Sequence, residues 1–287
     1  MTQPEFRADL HVHSTVSDGT GSPTRLLREA AGAGLDAMAI TDHDSTAGWS
    51  EATAAAREHG VILVPGMEFS TQHDGASVHL LAYLFDPSDA KIVAETARIR
   101  DDRLHRAERI VRRIGEDYDL TWEDVLAQAQ EGTTFGRPHI ADALVARGHV
   151  PTRSDAFASI LHPRAGYYEP HYAPDTLAAV GMVRAAGGVP VLAHPGTFGA
   201  ARMVPRARLA QLAAGGLAGV EVDHPENAED AKPILRAWAE EFGLVVTGSS
   251  DYHGSGKPNR LGECTTGRRA YDRLLGSATG SSPITPE

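Results

Sequence analysis

Short apolar runs rich in β-branched residues alternate along the chain with longer segments of helical period. Seven runs predict strands: 7–13, 36–41, 61–66, 76–84, 189–194, 218–223 and 244–249. Four of the segments between them predict helices: 23–33, 45–59, 205–214 and 227–242. The first helix has Ser22 and Pro23 at its start, a combination typical of a helix N-terminus. This alternation indicates a mostly parallel sheet, and seven strands at this spacing favour a barrel.

The alternation stops between about residues 90 and 180. This region opens with "DAKIVAETARIRDDRLHRAERIVRRIG", a charged, Arg-rich segment of helical period, and continues with further helical stretches. We therefore predict an α/β fold with a barrel built from residues 1–90 and 181–275 and a helical insertion over 91–180. The Gly-, Ser- and Pro-rich segment 276–287 is expected to be a flexible tail.

Composition narrows the classes of protein that the chain can represent. The net charge of −11 argues against binding to long nucleic acid, although it permits a small phosphorylated substrate. The sequence has no apolar run long enough to span a membrane and no apolar stretch near the N-terminus that resembles a secretory signal, so we expect a cytoplasmic protein. The single Cys264 excludes a disulfide framework and a cysteine-based zinc site.

Histidines and carboxylates fall at or near the C-terminal ends of nearly all predicted strands. They are His11, His13, Asp18, His43, Glu68, His79, His194, Asp251 and His253. In α/β barrels the active site is built at this end of the strands, so residues scattered over the whole chain would meet in one cleft. Each residue alone is weak evidence, because Asp beside Gly suits a turn and a single His is usually structural. A metal site explains all of them with one cause.

Six segments together resemble one known family. "DLHVHSTVSDGT", "AITDHDS", "GMEFS", "VHLLAY", "LAHPG" and "GSSDYHG" are similar to motifs of the PHP (polymerase and histidinol phosphatase) metal-dependent phosphoesterases. "FGRPHIADALVARGHV" and "GVEVDHPEN" resemble the subgroup that includes 3′,5′-nucleoside bisphosphate phosphatases and a short-RNA 5′-exonuclease. The resemblance implies a distorted seven-stranded β/α (TIM-like) barrel with a helical insertion that caps the substrate.

The resemblance also implies a set of two or three divalent metals and their ligands. The first metal would be held by His11, His13, Glu68 and Asp251, the second by Asp18, His43 and His253, and the third by Glu68, His79 and His194. Glu68 would bridge two of them. Ligands of this type, without thiolate, suit Mn²⁺, Fe²⁺ or Zn²⁺, and Mn²⁺ is our first choice.

The implied reaction is hydrolysis of a phosphate monoester by metal-activated hydroxide, with Glu68 as the bridging catalytic group. His224 is a possible proton donor to the leaving oxygen, although it could instead cap the next helix. Arg137 and His139 are predicted to bind a second phosphate at a helix N-terminus. Alternatively, Arg137 pairs with an acidic neighbour and His139 packs as a helix residue.

The predicted substrate is a nucleotide phosphate monoester, with a 3′,5′-nucleoside bisphosphate such as pAp as first choice. The alternatives are 5′→3′ exonuclease action on short RNA, histidinol-phosphate hydrolysis and, in another class, a noncatalytic metal-binding module. The complete ligand set argues against the last. We expect a small phosphorylated partner, no long duplex nucleic acid and no membrane, and the sequence leaves the oligomeric state open.

Overall fold

The computed structural model describes residues 5–130 and 132–286. Its strands are β1 (Ala8–Asp9), β2 (Ala37–Ile40), β3 (Ile62–His73), β4 (Ala76–Tyr83), β5 (Val189–Leu192), β6 (Gly219–Asp223) and β7 (Val245–Gly248). Its α-helices are α1 (Pro23–Gly32), α2 (Trp49–His59), α3 (Ala90–Ile114), α4 (Trp122–Leu126), α5 (Arg137–Ala146), α6 (Arg153–Ala158), α7 (Thr176–Ala185), α8 (Arg206–Ala214), α9 (Lys232–Glu241) and α10 (Arg268–Leu275).

The seven strands form one sheet in chain order that nearly closes on itself. β1, β2 and β3 are parallel, as are β5, β6 and β7, whereas β4 runs antiparallel to both of its neighbours, β3 and β5. A parallel bridge between Val12 and Tyr252 brings the segment after β1 against the segment after β7. The predicted distorted seven-stranded barrel is confirmed, and the antiparallel β4 is its main distortion.

The strand and helix positions were predicted well, but their bounds differ from the expected ones. The first strand ends at Asp9, so the two histidines that follow lie in extended backbone beyond it. β3 continues to His73 because it pairs with β4 along its whole second half, which places Glu68 inside a strand and not after one. α1 begins as predicted, with Ser22 accepting a hydrogen bond from the Arg25 N–H.

The helices between β4 and β5 contain a hydrophobic core of their own. Residues of α3 such as Ile110 and Ile114 pack with Val125, Leu144 and Leu161, and this cluster is separate from those under the barrel sheet. α7 belongs to the barrel instead, because its buried side chains join the cluster formed by β4, β5 and β6. The separate core is consistent with the predicted helical insertion. Because α7 packs against the barrel, the core of the insertion is limited to residues 107–161.

The segment predicted to be a flexible tail is described as far as residue 286. Its backbone lies along the barrel: Ser281 N–H donates to Leu84 O at 2.8 Å, and Ile284 exchanges two hydrogen bonds with Leu63. Among the described residues there is no helix with the length and apolar character that a membrane span requires.

Candidate metal centre and active site

The nine predicted ligands meet at the end of the barrel where the parallel strands finish. His11 and His13 follow β1, His43 follows β2, Glu68 lies in β3, His79 lies in β4, His194 follows β5, and Asp251 and His253 follow β7. Asp18 comes from the loop after β1. Two ligands, His194 and Asp251, have positive φ angles of 25° and 53°. Such backbone is strained for residues other than Gly, and strain of this kind is concentrated at functional sites.

Glu68 is the centre of the arrangement, because each of its carboxylate oxygens faces a different set of imidazoles. Oε1 lies 2.8 Å from His79 Nδ1 and 3.1 Å from His194 Nε2. Oε2 lies 3.1 Å from both His13 Nε2 and His43 Nδ1 and 3.4 Å from His11 Nε2. This geometry suits a carboxylate that bridges two metals.

The ligand atoms fall into overlapping groups compact enough to hold several ions. One group contains His13, Asp18, His43 and His253, and others join His11 with His13 and Glu68, His11 with His194 and Asp251, and His43 with Glu68 and His79. The first group reproduces the proposed second set with His13 added. The remaining groups divide the first and third proposed sets differently, because His11 and Glu68 are each within reach of several partners.

The donor atoms themselves indicate that cations belong among them. His11 Nε2 and His13 Nε2 are 3.1 Å apart, and both side chains are fully buried. His11 directs its other nitrogen, Nδ1, at a carboxylate, so its Nε2 presents a lone pair to His13. Two such nitrogens at this distance need a proton or a metal between them. Asp251 Oδ1 lies 3.2 Å from His13 Nε2, which completes a mixed His and carboxylate site suited to Mn²⁺, Fe²⁺ or Zn²⁺.

The site keeps its carboxylates ionised despite being buried. Burial alone raises the pKa of Glu68, but its electrostatic interactions with the imidazoles of His79, His43 and His11 outweigh burial and hold that pKa well below its usual range. For Asp251, burial is likewise outweighed, chiefly by Lys257 and His11, and its pKa is lowered well below the ordinary value. Anionic carboxylates beside imidazoles are the form that binds a divalent cation.

Two aspartates beside His43 hold the surrounding loops in place. Asp42 Oδ1 accepts from the Ser14 N–H at 2.8 Å and from Ser17 Oγ at 2.7 Å. Asp44 accepts from both the N–H and the Oγ of Ser70 at 2.7 Å. Neither carboxylate takes part in the ligand groups, so both orient the ligands from behind.

Glu221, within β6, lies behind two of the ligands and was not predicted from the sequence. Its oxygens are 3.3 Å and 3.4 Å from His11 Nδ1, and Oε2 accepts from the His194 backbone N–H at 2.9 Å. The carboxylate therefore fixes the His11 tautomer that leaves Nε2 free for a metal. A Glu among the apolar residues of "GVEVD" was the signal that could have revealed it.

His224 lies fully buried beside Glu221 and Asp251. Its Nδ1 accepts the Glu226 N–H at 3.1 Å, so the neutral ring carries its proton on Nε2. Nε2 is 3.7 Å from Glu221 Oε2 and 3.9 Å from Asp251 Oδ2, and it has no hydrogen-bond partner in the part of the chain that the structure describes. Burial lowers the pKa of this imidazole.

Lys257 is a second residue that sequence reasoning missed. Its Nζ lies 2.6 Å from Asp251 Oδ2 and 3.1 Å from Glu226 Oε1. Asp251 thus directs one oxygen at the histidines and the other at this ammonium group. The short motif "GSGKPN" carries no pattern by which the contact could be foreseen.

Three arginines, Arg103, Arg106 and Arg137, lie around one small gap between α3 and α5, and we call them the arginine cluster. Arg103 also bonds to the metal-site framework, with Nε 3.1 Å from Asp44 Oδ2 and Nη2 2.6 Å from Ser70 Oγ. Arg106 is only 6% exposed, and its burial, together with the charges of Arg103 and Arg137, lowers its pKa to about 9. Burial and two like charges disfavour the charged form of this guanidinium, and an anion bound beside it would stabilise that form.

Arg137 is held by aromatic side chains. Its guanidinium carbon lies 5.2 Å from the centre of the Phe157 ring and 5.1 Å from that of Tyr168. Stacking of this kind fixes the plane of the guanidinium while leaving its N–H groups available at the edge.

His139 is placed differently from expectation. Nδ1 accepts the Gly136 N–H at 3.1 Å, and Nε2 donates to Ser17 O at 2.9 Å. Both ring nitrogens are thus engaged within the protein, and the side chain is 4% exposed. In this conformation the ring contacts the loop that carries Asp18 and has no nitrogen left for a phosphate.

A seven-stranded barrel with several clustered His and carboxylate groups at one end is the arrangement expected of a metal-dependent hydrolase. Comparison with known proteins agrees: the model of the PHP domain family matches residues 9–146. A 3′,5′-nucleoside bisphosphate phosphatase of Chromobacterium violaceum is 31% identical over 257 residues, covering 88% of this chain and 89% of the relative. A 5′-3′ exoribonuclease of Haemophilus influenzae is 33% identical over 251 residues, covering 85% and 89%.

A solved structure extends the similarity to the whole fold. The crystal structure of a metal-dependent phosphoesterase from Bifidobacterium adolescentis superimposes with a TM-score of 0.93 at 43% identity, covering 97% of this chain and 98% of the other. The chain therefore belongs to the PHP domain family. It is an enzyme, a metal-dependent phosphoesterase.

Proposed function

We propose that the protein hydrolyses a phosphate monoester of a nucleotide, with a 3′,5′-nucleoside bisphosphate as first choice. The observation that supports this proposal is the closeness of two groups of side chains that suit anions: the His and carboxylate groups around Glu68, which could hold metals, and the arginine cluster of Arg103, Arg106 and Arg137. A bisphosphate offers one phosphate to each. The similarity to the Chromobacterium violaceum phosphatase supports the same substrate class.

The two sites are neighbours. Arg103 is paired with Asp44, the residue after the proposed ligand His43. His171 lies near residues of both sites. Burial, together with Arg103, Arg106 and His79, lowers its pKa to about 3. A substrate of nucleotide size with two phosphates is consistent with this adjacency.

The proposed roles follow from the positions of the side chains. The nine proposed ligands would hold the scissile phosphate through two or three divalent metals, with Mn²⁺ as first choice. When bound, these metals supply an acidified water and neutralise the charge on the phosphoryl group. Arg137 and Arg106 bind the second phosphate, Arg137 with a planar fork of donors. His139 supports this turn of α5 instead of contacting the phosphate.

His224 is proposed to protonate the leaving oxygen. Its Nε2 carries the proton of the neutral ring and lies beside Asp251, so it is directed at the metal centre. To act as an acid the ring takes up a proton at Nδ1, releasing the Glu226 N–H, and then gives its Nε2 proton to the leaving oxygen; burial lowers its pKa and so makes the charged ring a stronger acid. The expected cytoplasmic location belongs to this proposal as well.

The substrate class can be tested with one panel of compounds. Protein loaded with Mn²⁺ is assayed for phosphate or nucleotide release from pAp, AMP, histidinol phosphate and a short 5′-phosphorylated oligoribonucleotide. We expect the highest kcat/KM for pAp. A higher value for the oligoribonucleotide would favour the activity named for the Haemophilus influenzae relative and would refute the first choice.

Arg137→Ala separates the two phosphates. Losing a charge-assisted contact costs about 1.5–3 kcal/mol, or roughly ten- to a hundredfold in kcat/KM, and the loss should be large for pAp and small for AMP. Arg147→Met, which removes an exposed arginine paired with Asp119 elsewhere in the helical region, is the matched control. An equal loss on both substrates would show that Arg137 serves the scissile phosphate or the fold.

A further inference from the structure

The loop that carries Asp18 is gripped by the helical region through its backbone. The carbonyl oxygens of four consecutive residues, 15–18, each accept a hydrogen bond from the segment 133–153. In chain order the donors are Thr133 Oγ1 at 3.1 Å, the Thr134 N–H at 3.0 Å, His139 Nε2 at 2.9 Å and Arg153 Nη1 at 3.0 Å. We call the segment 133–153 the clamp.

Two of the four donors are themselves fixed by further contacts. Because His139 Nδ1 accepts the Gly136 N–H, its proton resides on Nε2, which is the nitrogen that donates to Ser17. Arg153 is held by Asp142 through two hydrogen bonds, from Nε at 2.8 Å and from Nη2 at 2.5 Å. Contacts within the clamp itself therefore hold these two donors in place, independently of their bonds to the loop.

The loop turns tightly around Asp18, because the Ser17 and Gly19 N–H groups both donate to Ser14 O, at 3.1 Å and 3.0 Å. The carboxylate of Asp18 reaches His253 Nε2 at 3.2 Å and His43 Nε2 at 3.7 Å. Gly19 follows with its Cα so close to His13 that an added Cβ would lie 2.1 Å from the His13 oxygen. A loop that must turn this tightly and still direct one carboxylate inward gains precision from bonds to its carbonyls.

We propose that the clamp positions Asp18, so that the helical insertion determines whether the metal site of Asp18, His43 and His253 is filled. His139 and Arg153 are its positioning residues. This inference rests on the ligand set of the proposed function. It gives "GRPHIA" a role in metal binding that is separate from the phosphate contact of Arg137.

The experiment compares two substitutions at one position. In His139→Gln the side-chain amide nitrogen can replace Nε2 and still donate to Ser17 O, whereas His139→Leu removes the donor with little change in volume. Mn²⁺ binding to the apoprotein is titrated by calorimetry and by the electron paramagnetic resonance signal of free Mn²⁺. Neither measurement depends on turnover.

We expect His139→Leu to lose about one Mn²⁺ per chain, or to bind one Mn²⁺ roughly ten- to a hundredfold more weakly, while His139→Gln keeps the wild-type number. Arg153→Met tests the second donor and decides the matter if His139→Leu fails to fold by circular dichroism. Arg147→Met is the control, because its arginine pairs with Asp119 and not with the loop.

The outcomes separate the two proposals. Wild-type protein that binds less than one Mn²⁺ would refute the ligand set and the clamp together. A full wild-type complement that His139→Leu and Arg153→Met both retain at unchanged affinity would refute the clamp alone. Loss of one metal in these variants, with retention in His139→Gln and Arg147→Met, would support it.

Discussion

Arg106 should be a residue whose removal stabilises the protein and impairs its activity. It lies 94% buried near Arg103 and Arg137, its guanidinium carbon is 5.8 Å from the centre of the Tyr168 ring, and its Nε has no hydrogen-bond partner among the described residues. The test substitution is Arg106→Met, which keeps the length and flexibility of the side chain while removing the charge.

The size of the effect follows from the lowered pKa. Burial and the two neighbouring arginines lower the Arg106 pKa from the ordinary arginine value to about 9. Keeping the group charged in the folded state therefore costs at most about 5 kcal/mol. The cost is complete below pH 9 and declines as the pH rises toward the unfolded-state pKa. We expect Arg106→Met to raise the free energy of unfolding by about 1–3 kcal/mol at pH 7. This is less than the upper limit because the surroundings of a buried charge relax around it.

Two measurements are needed. Thermal unfolding at pH 7 in the absence of phosphate should show a Tm about 2–6 °C above wild type, at roughly 2 °C for each kcal/mol in a chain of this size. Hydrolysis of pAp should lose roughly ten- to a hundredfold in kcat/KM, with a smaller loss on AMP. Arg112→Met, at an exposed position of the same helix, is the control. A variant that is less stable than wild type and hydrolyses pAp normally would refute the anion site.

Three further outcomes are expected. Glu68→Gln should abolish turnover and lower the number of bound metals without changing the circular dichroism spectrum, since both carboxylate oxygens face ligands; unchanged kcat would make Glu68 structural. Glu221→Gln should weaken metal binding about 10- to 100-fold, because the amide lacks the negative charge that holds the His11 Nδ1 proton and turns an NH₂ group toward one of the two N–H donors, His11 or His194; unaltered calorimetric titrations would contradict this. Chelation should lower the Tm by an amount corresponding to about 4 kcal/mol per site filled at 1,000 times its Kd, and a Tm insensitive to Mn²⁺ would argue against a buried metal centre.

The metal centre could be predicted because its ligands obey a rule of topology. The strands deliver residues as distant as His11 and His253 to one end of the barrel, so a pattern of polar residues at strand ends is sufficient to collect them. Which ligands share an ion could not be predicted. His11 and Glu68 each face several partners at 2.8–3.4 Å, and this sharing depends on side-chain directions that the sequence pattern does not contain.

His139 shows a different limit. The sequence correctly placed "GRPHIA" at the start of a helix, where free N–H groups favour an anion. It could not show that the imidazole turns back, accepts the Gly136 N–H and donates across to the barrel. A side chain at the third position of a helix can face the cap or the solvent, and only the neighbouring loop decides between them.

The arginine cluster corresponds to a sequence pattern that can be recognised from the position of α3 in the structure. The buried face of α3 is made of residues three or four apart, which are Ile92, Thr96, Ile99, Arg103, Arg106, Ile110 and Ile114. Arginine occupies two successive positions of what is otherwise an apolar stripe. A charged helix is usually a solvated one, but a cation at a core-facing position must be paired or must await an anion. Arg103 is paired with Asp44, and Arg106 is the member of the stripe proposed to bind a phosphate. The phase of the stripe, and not the number of its arginines, is the sequence signal for this proposed site.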